Sequence, residues 1–301
     1  MKKEANSLRA VLFALTGNLT IAVIKYIVSV ISGSSAMLAE AIHSLADTTN
    51  QVFLLIGRKR SRKEADESHS LGYGMEEYFW GFLVAVLLFF LGGCYSIYEG
   101  VHKFLHPEPI SNYLYIFIVI ASSMVIEFKS FSVAMTEFRK TTARGLFKSL
   151  KESTDTNIFV ILIEDFSALT GLTIVLVSSL LSLINPVFDI IGTLLVGCLL
   201  IVMSYFLANE LRKLLIGENI PREIRNVVRQ KVRKQPVVHH INNIRSMYIG
   251  NNNFVLMISI DVNDDATGTM IEAATEKIRE EITHDYPNAR YIYIDIRDNR
   301  A

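Results

Sequence analysis

The chain has 301 residues, half of them hydrophobic, and its 30 basic and 30 acidic side chains cancel to a formal charge of zero. That balance gives no electrostatic case for nucleic-acid binding, and Cys94 and Cys198, far apart inside apolar runs, support neither a disulfide framework nor a thiolate metal site. A mean hydropathy of +0.33 is high for a soluble globular protein and ordinary for one that must match lipid.

The opening MKKEANSLRA places positive charge ahead of an apolar stretch without a small-residue cleavage site, so it is expected to be retained. Six stretches are then long enough to cross a hydrocarbon core of roughly 30 Å: residues 11–31, 36–56, 78–98, 113–135, 156–179 and 187–207. Only a helix satisfies its own backbone in lipid, so each is expected to be one. Basic residues gather on one side of these spans. Lys2, Lys3 and Arg9 precede the first, five lie from Arg58 to Lys63, five from Arg139 to Lys151, and Arg212 and Lys213 follow the sixth. The opposite connections hold Lys103 alone, so the positive-inside rule puts both termini in the cytoplasm.

After the last span the periodicity changes. Residues 221–234 read as an amphipathic helix opening on proline, 241–248 and 254–262 as strands joined by GNNN, 269–283 as a helix and 291–296 as a strand. The order α-β-β-α-β predicts a small, partly antiparallel sheet with helices on one face, similar to a ferredoxin-like domain. The expected fold is thus membrane α-helical: a six-transmembrane-helix bundle over residues 1–214, followed by an α+β cytoplasmic domain over 215–301.

Charges inside the spans carry the functional signal, because each costs about 2.5–3.5 kcal/mol at a helix centre. In the second span, AEAIHSLADTTNQ puts Glu40, His43 and Asp47 on one helical face. In the fifth, Glu164 and Asp165 are adjacent and so point about 100° apart. The second span runs inward and the fifth outward. Asp47, nine residues before Ile56, and Asp165, nine after Thr156, therefore share a depth of about 14 Å from the cytoplasmic ends. Imidazole nitrogen with carboxylate oxygens suits Zn²⁺ and tolerates Mn²⁺, Fe²⁺ or Co²⁺. The plain alternative is that these groups pair with each other or with Lys25 and Lys129 to hold the bundle together. Glu127 in the fourth span reads either as a proton relay or as a partner of Lys129.

Gly33, Ser34 and Ser35 followed by AMLAEAIHSLADTTNQ, then DESHSLGYGMEEYFW, six spans and the ferredoxin-like tail resemble the cation diffusion facilitator family over essentially the whole chain. VILIEDFSALTG is similar to the branch containing the ninth animal zinc transporter. The resemblance implies a homodimeric antiporter that exports Zn²⁺ or a related divalent cation in exchange for protons, without an organic cofactor. It implies a site formed by His43, Asp47 and Asp165. Ile161 stands where the family usually has histidine or aspartate, so Glu164, a water or an altered register completes the shell. Asp66 and His69 match two positions of a second metal site in the loop after the second span, but Tyr73 replaces its next histidine, and a structural turn is the expectation there. His239, His240 and His284 are scattered, so the tail is expected to dimerise rather than to hold a regulatory zinc cluster.

Two other classes fit parts of the sequence. An intramembrane metal-dependent hydrolase would use His43 and Asp47 to hold a catalytic ion, yet needs a general base, and no HExxH run is present. A membrane anchor for a partner-binding tail would not require charges buried at matched depth. With no transit or secretory segment apparent, a bacterial plasma membrane is the expected location.

Overall fold

The computed structural model describes residues 2–107, 109–141, 156–250 and 252–298, with backbone only at helix positions 2–14, 134, 137–141 and 156–161. Of the basic run expected from Arg139 to Lys151, residues 142 onward lie outside that description, as do the side chains of Lys2, Lys3, Arg9, Arg139, Lys140 and Ile161. The chain divides into two units, Met1–Gly57 with Trp80–Leu211, and Arg58–Phe79 with Arg212–Ala301.

The first unit is built from α1 (Lys2–Ser32), α2 (Ser35–Ser61), α3 (Glu76–Leu87), a π-helical stretch Leu88–Cys94, α4 (Tyr95–Leu105), α5 (Tyr113–Thr141), α6 (Thr156–Ser182) and α7 (Val187–Leu215). The segments from α3 to α4 form one 30-residue span. Among the described residues, five helices are long and apolar enough to cross a membrane. The other long helix, α2, has 27 residues and reaches about 40 Å, but Glu40, His43, Asp47 and a basic last turn dilute its apolarity. Side chains such as Val30, Phe104, Leu114 and Tyr205 point outward and exposed, as lipid contact allows.

Small residues set the helix spacing. A Cβ on Gly93 would stand 2.5 Å from Ile201, one on Gly100 2.7 Å from Leu194, and one on Gly197 2.9 Å from Ile97, so the π and α4 segments approach α7 almost backbone to backbone. Two apolar clusters result. One joins Ala36, Met37 and Ala39 of α2 to Leu88, Ile116, Leu172 and Leu200. The other joins Phe53 and Leu54 of α2 to Val84, Leu207 and Leu211. The polar stretch of α2 lies between them.

The N-terminus of α2 is held by a buried carboxylate. Asp189 Oδ2 accepts from the Ser35 amide at 2.9 Å, Ser35 Oγ at 2.8 Å and the Ala36 amide at 3.4 Å, while Ser34 Oγ donates to Oδ1. Ser34 Oγ also accepts from the Met37 amide at 3.1 Å, which makes it the N-cap. Lys103 Nζ lies 3.5 Å from Asp189 and donates to the Gly33 carbonyl. The negative charge thus sits on the positive end of the helix dipole and is neutralised by an ammonium group. Asp189 anchors α2.

The second unit contains α8 (Arg222–Arg233), β1 (Val238–Tyr248), β2 (Phe254–Val262), α9 (Gly268–Asp285) and β3 (Ala289–Ile296). The expected order α-β-β-α-β is found. Strand order is β1-β2-β3, with β1 antiparallel and β3 parallel to β2, so α9 is the crossover that a parallel pair requires. Val228 and Val232 of α8 and Ile278 and Ile282 of α9 share one core with Phe254, Leu256, Ile258 and Ile260 of β2. Tyr78, in the first turn of α3 and within the Arg58–Phe79 segment of this unit, is buried in the same core, with Met75 against it. A Cβ on Gly74 would stand 2.0 Å from the Ile249 carbonyl oxygen, and one on Gly250, at φ +88°, 1.9 Å from the Gly74 carbonyl oxygen. Two glycines therefore permit a backbone contact that no side chain could enter.

Candidate metal centre

The helical period puts residues 40, 43, 47 and 50 of α2 on one face, and the fold buries that face. Glu40 and Asn50 have no exposed surface, His43 keeps 1%, and the Asp47 side chain keeps 18%. Lys25 of α1 enters the same region and donates to Glu40 Oε2 at 3.1 Å and Ser44 Oγ at 2.7 Å. Lysine is therefore the partner of Glu40, one of the two pairings open from sequence. Glu40 Oε1 faces α6, where a Cβ on Gly171 would stand 2.6 Å from it.

The α2 face carries a column of unsatisfied atoms. Glu40 Oε1, both nitrogens of His43, Asp47 Oδ1 and Asn50 Oδ1 are buried without a hydrogen-bond partner among the described residues. His43 Nδ1 and Asp47 Oδ1 are 3.7 Å apart. Buried polar groups are ordinarily paired, and each left unpaired costs roughly 1–3 kcal/mol. Five such atoms along one helix face mark a place for a charged or polar guest.

The acids of α6 diverge, as adjacent helical positions must. Glu164 is buried and accepts from Asn50 Nδ2 of α2 at 2.9 Å. Asp165 accepts from Ser130 Oγ of α5 at 2.9 Å. Asp47 lies within electrostatic reach of both, and of Lys25, Glu40 and Glu127. His43 and Asp47 are thus together, Glu164 is tied to the same α2 face, and Asp165 is turned toward α5. Among the described residues no three histidine, cysteine or acidic side chains converge on one point that could hold an ion. Asn50 and Ser130 are functional-site neighbours that sequence reasoning passed over; Asn50 was visible as the next position of the 40, 43, 47 series.

In the loop after α2, Asp66 Oδ2 accepts from Lys63 Nζ at 2.7 Å and Tyr73 OH at 2.8 Å, and Oδ1 accepts from the amides of Ser68 at 3.0 Å and His69 at 2.9 Å. His69 stacks on Tyr73 with ring centres 4.0 Å apart. The hydrogen bonds from Lys63 and Tyr73 hold the Asp66 carboxyl well below the usual carboxylate range. Both oxygens of Asp66 are thus engaged by Lys63, Tyr73 and two backbone amides, as in a structural turn. In the tail, His284 Nδ1 lies 3.1 Å from Asp285, whose other oxygen binds Lys231 at 2.7 Å, while His239 and His240 are exposed on β1.

The chain is similar to known proteins. The human proton-coupled zinc antiporter SLC30A9, mitochondrial, is 34% identical over 231 residues, 75% of this chain and 41% of the human one. Metal tolerance protein C4 of Arabidopsis thaliana is 31% identical over 265 residues, covering 86% of this chain and 58% of that protein. An uncharacterized transporter of Methanocaldococcus jannaschii is 23% identical over 292 residues, 96% and 98% of the two chains. The chain spans about two fifths of the length of the animal relatives it matches. Residues 11–216 match the cation efflux transmembrane domain, more than half of the sequence, and the chain belongs to the cation efflux family.

Proposed function

We propose that this protein is a secondary transporter that exports a divalent cation, Zn²⁺ foremost and Mn²⁺, Fe²⁺ or Co²⁺ as alternatives, from the cytoplasm in exchange for protons. The observation that carries the reading is the buried, unpartnered column on α2 opposite the acids of α6. The animal relatives are named as proton-coupled zinc antiporters, which supports the same substrate class.

His43 and Asp47 supply the first two ligands, and Asp165 and Glu164 complete the shell, Glu164 standing in for the ligand absent at Ile161. Cation binding requires neutral imidazole and ionised carboxylates, so protons and metal compete for the same atoms. That competition is the coupling. A loaded site opens to one face and a protonated site returns, in the alternating access of helices rocking about a midplane site. The apolar clusters on either side of the column, at residues 36–39 and 53–54 of α2, supply the dry barriers such a cycle needs.

We assign the transport domain to residues 1–214 and a dimerising cytoplasmic domain to 215–301, in a homodimer with both termini cytoplasmic, in a bacterial plasma membrane. The basic residues beside the spans support the orientation. The hydrolase alternative has no observation in its favour among the described residues or the relatives. Proteoliposomes loaded with a metal-sensing dye and a pH dye test the assignment. Asp47→Ala and Asp165→Ala are each expected to abolish proton-coupled flux; unchanged flux in either overturns it.

A further inference from the structure

We propose that His102 and His106, at the end of α4, form a second divalent-cation site, separate from the α2–α6 centre. The two histidines are four residues apart in the sequence HKFLH. Within a helix this spacing lets two imidazoles share a zinc ion; His106 is the C-cap just past Leu105, and the ring positions show the pair still side by side. Their ring centres are 5.1 Å apart with planes inclined at 49°. A tetrahedral ion bound at about 2.0–2.1 Å by one nitrogen of each ring holds the ring centres roughly 5 Å apart, so the rings already stand at chelating distance.

The surroundings favour a cation. The His106 amide donates to the His102 carbonyl at 2.9 Å, closing the final turn and fixing the two residues relative to each other. Tyr98 stacks on His102 with ring centres 6.0 Å apart and planes at 26°, which restrains that ring. The pair lies at the C-terminal end of α4, the negative end of its dipole. It lines a groove of about 390 Å³ with Glu99, Ser29, Ser34 and Ser35, and Glu99 lies one turn earlier on the same helix. Lys103, between the two histidines in sequence, is buried and committed to Asp189 and the Gly33 carbonyl, so its charge is neutralised rather than aimed at the rings. Both imidazoles are exposed and open to the groove. Two imidazole nitrogens with water completing the shell form a donor set for Zn²⁺ or Co²⁺, and Glu99 adds negative charge to the groove without joining the two rings as a third ligand.

The site rests on imidazole geometry and not on the transport reading, which adds only its sidedness. The groove opens at the α1–α2 turn, at the N-terminal end of α2, where on the proposed orientation an exported cation would leave. The test is Co²⁺ titration of the full chain in lipid nanodiscs, read by tetrahedral d–d absorption. Asp47→Ala/Asp165→Ala removes the α2–α6 centre and is expected to leave one equivalent bound. Adding His102→Gln/His106→Gln is expected to remove it, and in the otherwise unaltered chain the same pair is expected to lower the stoichiometry by one. These histidines are exposed, so the substitutions leave the packed core untouched. Equal Co²⁺ uptake with and without the two histidines, in either background, overturns the proposal. Loss of flux in the aspartate variants bears only on the transport site.

Discussion

Replacing Lys25 by methionine removes the ammonium that neutralises Glu40 and keeps most of the volume. Both groups of the pair are buried, with side-chain exposures of 1% and 0%, so no discount for solvent screening applies. At 3.1 Å their attraction is roughly 5 kcal/mol at an effective dielectric of about 20. Most of that is offset by taking two charges out of water, so the intact pair contributes little net stability. Stranding one charge is different. Lys25→Met leaves Glu40 with no cation and Ser44 without the lysine's hydrogen bond, and the expected cost is about 3–5 kcal/mol. Lys25→Met/Glu40→Gln removes both charges and is expected to recover most of the loss. Denaturation of micellar protein, followed by the fluorescence of Trp80, the single tryptophan, gives the three free energies of the cycle. A loss under about 1 kcal/mol for Lys25→Met, or a double variant no better than the single, would refute the buried-pair argument.

Gly74→Ala or Gly250→Ala should force apart the backbone contact between the loop and the β1–β2 turn. Each is expected to cost more than about 1 kcal/mol and to speed tryptic cleavage between Arg58 and Lys63; wild-type cleavage rates would count against the contact. Asp66 has a depressed folded-state pKa, so its contribution to the loop is full above the unfolded aspartate value near about 3.9 and fades as pH falls through the lower folded value. Hydrogen exchange at the Ser68 and His69 amides, corrected for intrinsic rates, should stay protected from pH 7 down to about pH 4 and lose protection only progressively below that, toward the lower folded value. Asp66→Asn should lose it throughout, and protection unchanged by that substitution would sink the reasoning. Ser130→Ala frees Asp165 from its bond to α5 and is expected to tighten Zn²⁺ binding by roughly fivefold, about 1 kcal/mol, in calorimetric titration; weaker binding would mean that Ser130 supports the loaded site.

The elements were legible because their signals are local. Apolar length and basic flanks set the span positions, and in the tail the strand expected at 254–262 is the observed β2, Phe254–Val262. Helix ends ran longer than hydropathy suggested: α5 continues to Thr141 and α7 to Leu215, because polar residues extend a helix past the lipid boundary without altering the apolar signal. The α2 face was legible for the same reason, since period alone aligns Glu40, His43 and Asp47. Partners across helices were not. Nothing in the sequence says that Glu164 meets Asn50 while Asp165 meets Ser130, because adjacent residues point to different neighbours and only packing names them. The bonds from Lys63 and Tyr73 to Asp66 were likewise hidden, although Tyr73 stands in the sequence where a third histidine would be needed. The Gly74–Gly250 contact left no trace beyond two glycines in turn-rich sequence.

The two helices of the centre differ in how firmly they are held. α2 is anchored at its N-terminus by Asp189 and packed into apolar clusters on both sides of its polar column, so His43 and Asp47 are presented on a fixed element. α6 divides its acids between two neighbours through hydrogen bonds of 2.9 Å each. On the proposed reading, a cation bound at His43 and Asp47 competes with Ser130 of α5 for the Asp165 carboxylate and with Asn50 for that of Glu164. A hydrogen bond to a charged group is worth about 1.5–3 kcal/mol, less than a divalent ion gains from an added carboxylate. Protonation removes that gain and returns each acid to its neighbour. On the proposed reading, the α5–α6 contact is therefore where occupancy of the site becomes helix movement, and α2 is the frame against which it moves.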